Sequence, residues 1–182
     1  DDHGLAAQVR IALEAEQRAV PVDAGTDGAT ELALLGRPVP GLEIAIVDPS
    51  TGEPCGERHV GELRITGNSL TVGYYNQPEA TAELITDGWL NTGDLAYTVG
   101  GELVICGRIK DVIIVGGRNV FPQDVEKAAS DVEGVRPGNV VAIGVSGRRG
   151  VEEVIVVAEV KGDPDDDVRR EVVDRVRISV GV

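Results

Sequence analysis

Short apolar runs separated by turn residues dominate the chain after its first forty residues, a pattern typical of β-strands in an antiparallel sheet. Within residues 60–66, Leu63 and Ile65 alternate with charged residues, as in a half-buried strand. The runs that predict strands are residues 42–47, 60–66, 94–98, 102–106, 112–115, 118–121, 140–145 and 151–160. Gly100 and Gly101 separate two of these runs and predict a hairpin turn, since glycine adopts positive φ angles without steric cost.

Helical spacing predicts helices at both ends of the chain and between the strands. Residues 5–20 predict the first helix, because Leu5, Val9 and Leu13 recur at helical intervals. Small and polar residues then predict a loop over residues 23–31. Proline suits the first turn of a helix, and acidic residues suit its positive end. The other predicted helices begin at Pro78, at Pro122 and in the acidic run of residues 163–167.

These elements together predict an α+β fold in two parts. We expect a small antiparallel sheet within residues 1–109. A small α/β domain, truncated at its C-terminal end, is expected over residues 110–182. The boundary falls near residues 107–111, where charged residues separate two predicted hairpins.

Charge and composition exclude several classes of function. Lys and Arg number 17 against 31 Asp and Glu, and a net charge of −14 argues against non-specific nucleic-acid binding. Aromatic residues are only 3%, too few for a base-stacking platform. No apolar run is long enough to span a membrane, and the N-terminus does not resemble a signal peptide, so we expect a cytoplasmic protein. Cys55 and Cys106 match no zinc or disulfide pattern and are expected to be buried.

The densest polar segment is residues 91–94, followed at the next predicted strand end by Arg108. The two carboxylate oxygens of Asp94 match two adjacent hydroxyls, such as those of a ribose, and Arg108 offers a planar donor group to hydroxyls or phosphate. The structural alternative is that Asp94 caps a turn and Arg108 pairs with it. No serine or cysteine lies near a histidine at a nucleophile spacing, and no Walker loop or dinucleotide fingerprint is found.

Several motifs resemble, in order and spacing, those of the adenylate-forming superfamily, which includes CoA synthetases, fatty-acyl-AMP ligases, peptide-synthetase adenylation domains and luciferases. They are residues 36–41 (GRPVPG), 61–67 (GELRITG) with 73–81 (GYYNQPEAT), 87–94 (DGWLNTGD) and 107–126 (GRIKDVIIVGGRNVFPQDVE). The resemblance implies an ATP- and Mg-dependent ligase that activates a carboxylic acid as acyl-AMP. It further implies transfer of the acyl group to the thiol of CoA or of a phosphopantetheine arm.

Within the superfamily, residues 117–124 and 136–138 most resemble fatty-acyl-AMP ligases, which pass a fatty acyl group to an acyl-carrier domain, often of a polyketide synthase. The Gly116-Gly117 pair is favoured by CoA synthetases, so an acyl- or aryl-CoA synthetase stays an alternative. A non-catalytic interaction domain that keeps the fold is another. The family's ATP-phosphate loop, its adenine motif and its C-terminal lysine segment are absent from these residues. The resemblance therefore implies a fragment, inactive alone, that joins the end of the large adenylation domain, a small antiparallel β-barrel-like subdomain over residues 1–109, to most of the mobile C-terminal domain over residues 110–182.

The resemblance also implies a role for individual residues. Asp94 would hold the ribose hydroxyls, and Arg108 would contact the same nucleotide; a structural ion pair is the alternative for Arg108. Lys110 would be the hinge, or else an ordinary solvated lysine. Gly116 and Gly117 would line the channel for the thiol acceptor, on a loop that is also a hairpin turn. No residue is assigned a catalytic role. The side chains expected to be structural are Trp89, Cys106 and Glu126.

Overall fold

The computed structural model describes residues 6–12, 17–23, 30–116, 118–147, 152–163 and 165–180. The chain divides into two compact units, the first built mainly from Glu31–Lys110 and the second from Asp111–Val182. Both units combine strands with helices, which confirms the predicted α+β fold class. No helix among the described residues is long and apolar enough to cross a lipid bilayer.

The N-terminal segment forms strands, so the helix predicted over residues 5–20 is wrong. The segment contains strands β1 (Ala6–Ala12) and β2 (Arg18–Pro21), and strand β3 (Thr30–Ala33) follows it. They form a sheet in the order β2-β1-β3, and β1 pairs antiparallel with β2. Val9 and Ile11 alternate with polar residues, which suits a strand, and pairing between strands decides against the helical spacing. Residues 5, 13–16 and 24–29 of the predicted helix and loop lie outside the described residues.

A curled five-stranded antiparallel sheet makes up most of the first unit. Its strands are β4 (Leu42–Val47), β5 (Gly61–Gly67), β6 (Ile85–Thr86), β7 (Trp89–Val99) and β8 (Glu102–Arg108). The order is β4-β5-β7-β6, and β8 also pairs with the long strand β7. Helix α1 (Pro78–Leu84) precedes β6. The predicted hairpin turn is confirmed, because Gly100 and Gly101 have φ angles of 58° and 79° between β7 and β8.

Two buried clusters stabilise this sheet. Leu63 is buried with Ile46 and Ala96 in one cluster, and Ile65 packs against them, as the alternation along β5 predicts. The second cluster contains the buried side chains of Ala19, Val60, Tyr97, Val104 and Cys106. Burial of these apolar side chains supplies most of the free energy that holds the strands in register.

In the second unit, one helix packs on a long antiparallel hairpin, and a second helix packs on that first helix. Its elements are β9 (Ile113–Val115), β10 (Arg118–Val120), α2 (Pro122–Ser130), β11 (Val135–Ser146), β12 (Glu152–Val160) and α3 (Asp166–Val180). Val125 of α2 and Val176 of α3 are buried with Ala142 of β11. The backbone N–H of Ala142 donates to Oε1 of Glu126 at 3.0 Å, which ties α2 to β11. Glu126 therefore has the structural role expected of it.

Candidate functional site

Asp94 and Arg108 lie opposite each other on neighbouring strands of the first unit. Their Cα atoms are register partners on β7 and β8. Nε of Arg108 donates to Oδ1 of Asp94 at 3.0 Å, and 50% of the Arg108 side chain and 26% of the Asp94 side chain are exposed. The hairpin thus brings together the two residues that the sequence singled out, and both remain accessible to a ligand.

Two β-bulges flank Asp94 and interrupt the regular pairing of β7. Towards β5, the single residue Leu63 faces three residues of β7, namely Thr92, Gly93 and Asp94. Towards β8, the register shifts again, so that Cys106 is an extra residue. Bulges bend a strand and redirect its side chains, and they are common beside active sites. The carboxylate therefore belongs to a segment of β7 that has left the regular pairing with β5 but still pairs with β8.

The Thr92 side chain organises this segment. Its hydroxyl donates to the carbonyl oxygen of Leu63 at 2.8 Å and accepts from the backbone N–H of Asp94 at 3.0 Å. Gly93 between them has a φ of 72°, a left-handed conformation that strains other residues. Thr92 was not predicted from the sequence, because its contact with Leu63 depends on the register between β5 and β7.

The first half of the DGWLNTGD motif forms the turn that leads into β7. Asp87 and Gly88 have φ angles of 51° and 80° and close the hairpin between β6 and β7. The Thr66 hydroxyl on β5 donates to the Gly88 carbonyl at 2.8 Å. Asn91 Nδ2 donates to the Glu83 carbonyl at 3.3 Å. These contacts fix the start of β7 and give Gly88 and Asn91 a structural role.

Lys110 and Gly116 lie on exposed turns. Lys110 is exposed in a single 3₁₀ turn, Ile109–Asp111, where the chain passes from the first unit to the second. Gly116 is exposed in the turn between β9 and β10, and an added Cβ would meet no atom within 4 Å. Gly117 lies outside the described residues. The roles of these residues as hinge and acceptor loop stay predictions.

The cysteines of the first unit are not arranged for catalysis. Cys106 is buried, as expected, and its thiol donates to the Leu95 carbonyl at 3.2 Å. Cys55 is partly buried; burial and the negative charge of Asp48 raise the pKa of its thiol, which lowers its reactivity. No group of three or more metal-binding side chains lies together in the described part of the chain.

The comparisons with known proteins agree with the motifs. A family described as "AMP-binding enzyme" matches residues 19–75. A Caulobacter vibrioides (strain NA1000 / CB15N) protein, provisionally named acyl-CoA synthetase, is 38% identical over 168 residues, which are 89% of this chain and 29% of that protein. The chain belongs to the adenylate-forming superfamily.

Solved structures give the same result. A structure from a study of fatty acyl-adenylate ligases of E. coli and L. pneumophila matches with a TM-score of 0.79 and 32% identity, covering 97% of this chain and 32% of that one. McyG A-PCP, solved with phenylalanyl-adenylate, matches with a TM-score of 0.73 and 36% identity, covering 83% of this chain and 28% of that one. The chain thus spans less than a third of the length of these relatives.

Proposed function

We propose that this chain is part of an ATP-dependent ligase that activates a carboxylic acid, and that Asp94 and Arg108 bind the nucleotide. In the first step the carboxylate attacks the α-phosphate of ATP, which forms acyl-AMP and releases pyrophosphate. In the second step a thiol attacks the acyl carbonyl and AMP leaves. Both steps depend on positioning and on stabilisation of charge rather than on a protein nucleophile. The observation that carries the proposal is the half-open Asp94–Arg108 pair, in which Asp94 lies where the pairing between β5 and β7 is interrupted.

The carboxylate of Asp94 suits the 2′- and 3′-hydroxyls of ribose. A carboxylate accepts two hydrogen bonds side by side, and each bond to a charged group contributes about 1.5–3 kcal/mol. The contact of Arg108 with Oδ1 uses only Nε, and the remaining guanidinium N–H groups are available to donate to the nucleotide. A partly exposed ion pair alone contributes about 0–1 kcal/mol, so a structural role explains little of the distorted strand around Asp94.

The thiol acceptor is either CoA or the phosphopantetheine arm of an acyl-carrier domain, and the acid is a fatty acid or a related carboxylate. Names of relatives support both acceptors: one is provisionally an acyl-CoA synthetase, and McyG was solved as an A-PCP protein. In the proposal, rotation at Lys110 brings the loop of Gly116 and Gly117 to the acyl-adenylate for the second step. The exposed 3₁₀ turn at Lys110 and the open space around Gly116 support these roles.

Carboxylate-dependent exchange of labelled pyrophosphate into ATP tests this function. We expect exchange from the full-length ligase with at least one acid in a panel of short-chain to long-chain fatty acids and aryl acids. The 182-residue chain alone is expected to give only background, because it lacks the phosphate loop and the lysine segment that the family motifs imply. Failure of the full-length protein with every acid would favour the non-catalytic alternative. Exchange by the isolated chain would show that adenylation does not need the phosphate loop and the lysine segment.

A further inference from the structure

We infer that Thr92 is a positioning residue for the nucleotide, because its hydroxyl clamps the backbone of Asp94 to the neighbouring strand. The inference rests on the proposed ribose contact of Asp94 and names the group that sets the geometry of that contact. Thr92 itself contacts the backbone N–H of Asp94 and acts through Asp94.

The clamp replaces regular pairing at the point where the sheet is interrupted. No residue of β7 pairs in register with Leu63, because three residues of β7 pass this position. The Thr92 hydroxyl is both a donor and an acceptor, so it donates to the Leu63 carbonyl and accepts from the Asp94 N–H at the same time. Both contacts are partly buried, so an unpaired backbone group there would be costly.

Asp94 is consequently held from two sides. Thr92 ties its backbone to β5, and Arg108 on β8 holds Oδ1 of its carboxylate. Gly93 provides the left-handed bend but has no side chain with which to fix it. Two hydrogen bonds to adjacent hydroxyls tolerate little displacement of the carboxylate, so its positioning depends on groups that lock it. Without the Thr92 hydroxyl, the backbone at Gly93 and Asp94 is free to shift.

The chain offers a matched control for general weakening of the sheet. Thr66 on β5 donates to the Gly88 carbonyl at 2.8 Å, the same kind of contact at the same length as that of Thr92 with Leu63. The Thr66 contact fixes the turn before β7 and makes no bond to Asp94. Thr66→Val therefore removes a comparable hydroxyl–carbonyl bond from the same sheet without touching the proposed clamp.

The test compares ATP with 2′-deoxy-ATP and 3′-deoxy-ATP as substrates for acyl-adenylate formation by the full-length ligase. The variants are Thr92→Val, which keeps the shape without the hydroxyl, Thr92→Ser, which keeps the hydroxyl, and Thr66→Val. We expect Thr92→Val to lower kcat/KM for ATP by roughly tenfold or more, mainly through KM, and to affect the deoxy substrates much less. The preference for ATP then collapses in Thr92→Val and survives in Thr92→Ser and Thr66→Val.

Other outcomes separate the inference from the function on which it rests. Equal losses of kcat/KM for ATP and the deoxy substrates in Thr92→Val, which leave the preference for ATP unchanged, would overturn the positioning role. The wild-type preference for ATP would still support the Asp94 contact. A wild-type enzyme without that preference would overturn both. If Thr92→Val does not fold, Thr92→Cys takes its place, since a thiol is a weak donor and a weak acceptor. The ratio of kcat/KM for ATP to kcat/KM for the deoxy substrates is then measured in that variant.

Discussion

Replacing Asp94 by alanine in the full-length ligase is expected to weaken ATP binding by roughly a hundredfold. In the proposed site the substitution removes two charge-assisted hydrogen bonds to the ribose, and a loss of about 3 kcal/mol corresponds to that factor. Folding is expected to change little, because the ion pair with Arg108 is partly exposed and contributes about 0–1 kcal/mol. Isothermal titration with a non-hydrolysable ATP analogue measures the affinity, and thermal unfolding measures stability on the same preparations.

Glu159→Ala is the matched control for loss of a carboxylate. Oε1 of Glu159 pairs with Nη1 of Arg136 at 3.1 Å on the second unit, and both side chains are about as exposed as Arg108. This control is expected to bind ATP as the wild type does. Normal affinity in Asp94→Ala would show that Asp94 is a turn residue paired with Arg108, and the ribose contact would then be wrong.

Lys110→Pro is expected to separate the two half-reactions. Proline fixes its own φ and restricts the residue before it, so the turn at Ile109–Asp111 loses the freedom that a hinge needs. In the proposed cycle, adenylation uses one domain orientation and acyl transfer uses the other. We therefore expect the variant to form acyl-AMP in a single turnover, and acyl-thioester formation to fall by at least about tenfold, or ~1.4 kcal/mol in the barrier. Labelled acyl-adenylate and acyl-thioester are measured on one preparation, with CoA and with an acyl-carrier domain as acceptors.

Lys110→Ala distinguishes the backbone from the side chain at this position. It removes the ammonium group and leaves the backbone free, so both half-reactions are expected to proceed. Equal loss of both steps in Lys110→Pro would indicate misfolding rather than a blocked hinge. Unchanged rates of both steps would place the pivot elsewhere in the chain.

The sequence predicted most of the strands because their apolar positions also form the core. Leu63 and Ile65 alternate along β5 and both pack in one cluster, so periodicity and burial agree there. The segment before residue 21 was misread, because Val9 suits both a helical and an alternating pattern. Pairing with β2 resolves that ambiguity, and pairing is a long-range property that local spacing does not contain.

The candidate site was predictable in its residues but not in its construction. Asp94 and Arg108 stand out by residue type beside glycines, and the Gly100-Gly101 turn brings them opposite each other. The clamp by Thr92 depends on the register between β5 and β7, where one residue faces three. Register is set by packing of the whole sheet, so no local pattern in the sequence indicates which hydroxyl bridges the interruption.

The most direct test of the central claim is a crystal structure of the full-length ligase with a non-hydrolysable acyl-adenylate analogue. The quantity to measure is the distance from each carboxylate oxygen of Asp94 to the 2′ and 3′ oxygens of the ribose. We expect both hydroxyls to lie within about 3 Å of the carboxylate, with the Thr92 hydroxyl still hydrogen-bonded to the Leu63 carbonyl and to the Asp94 N–H. A ribose bound away from Asp94, with the carboxylate paired only with Arg108, would contradict this expectation.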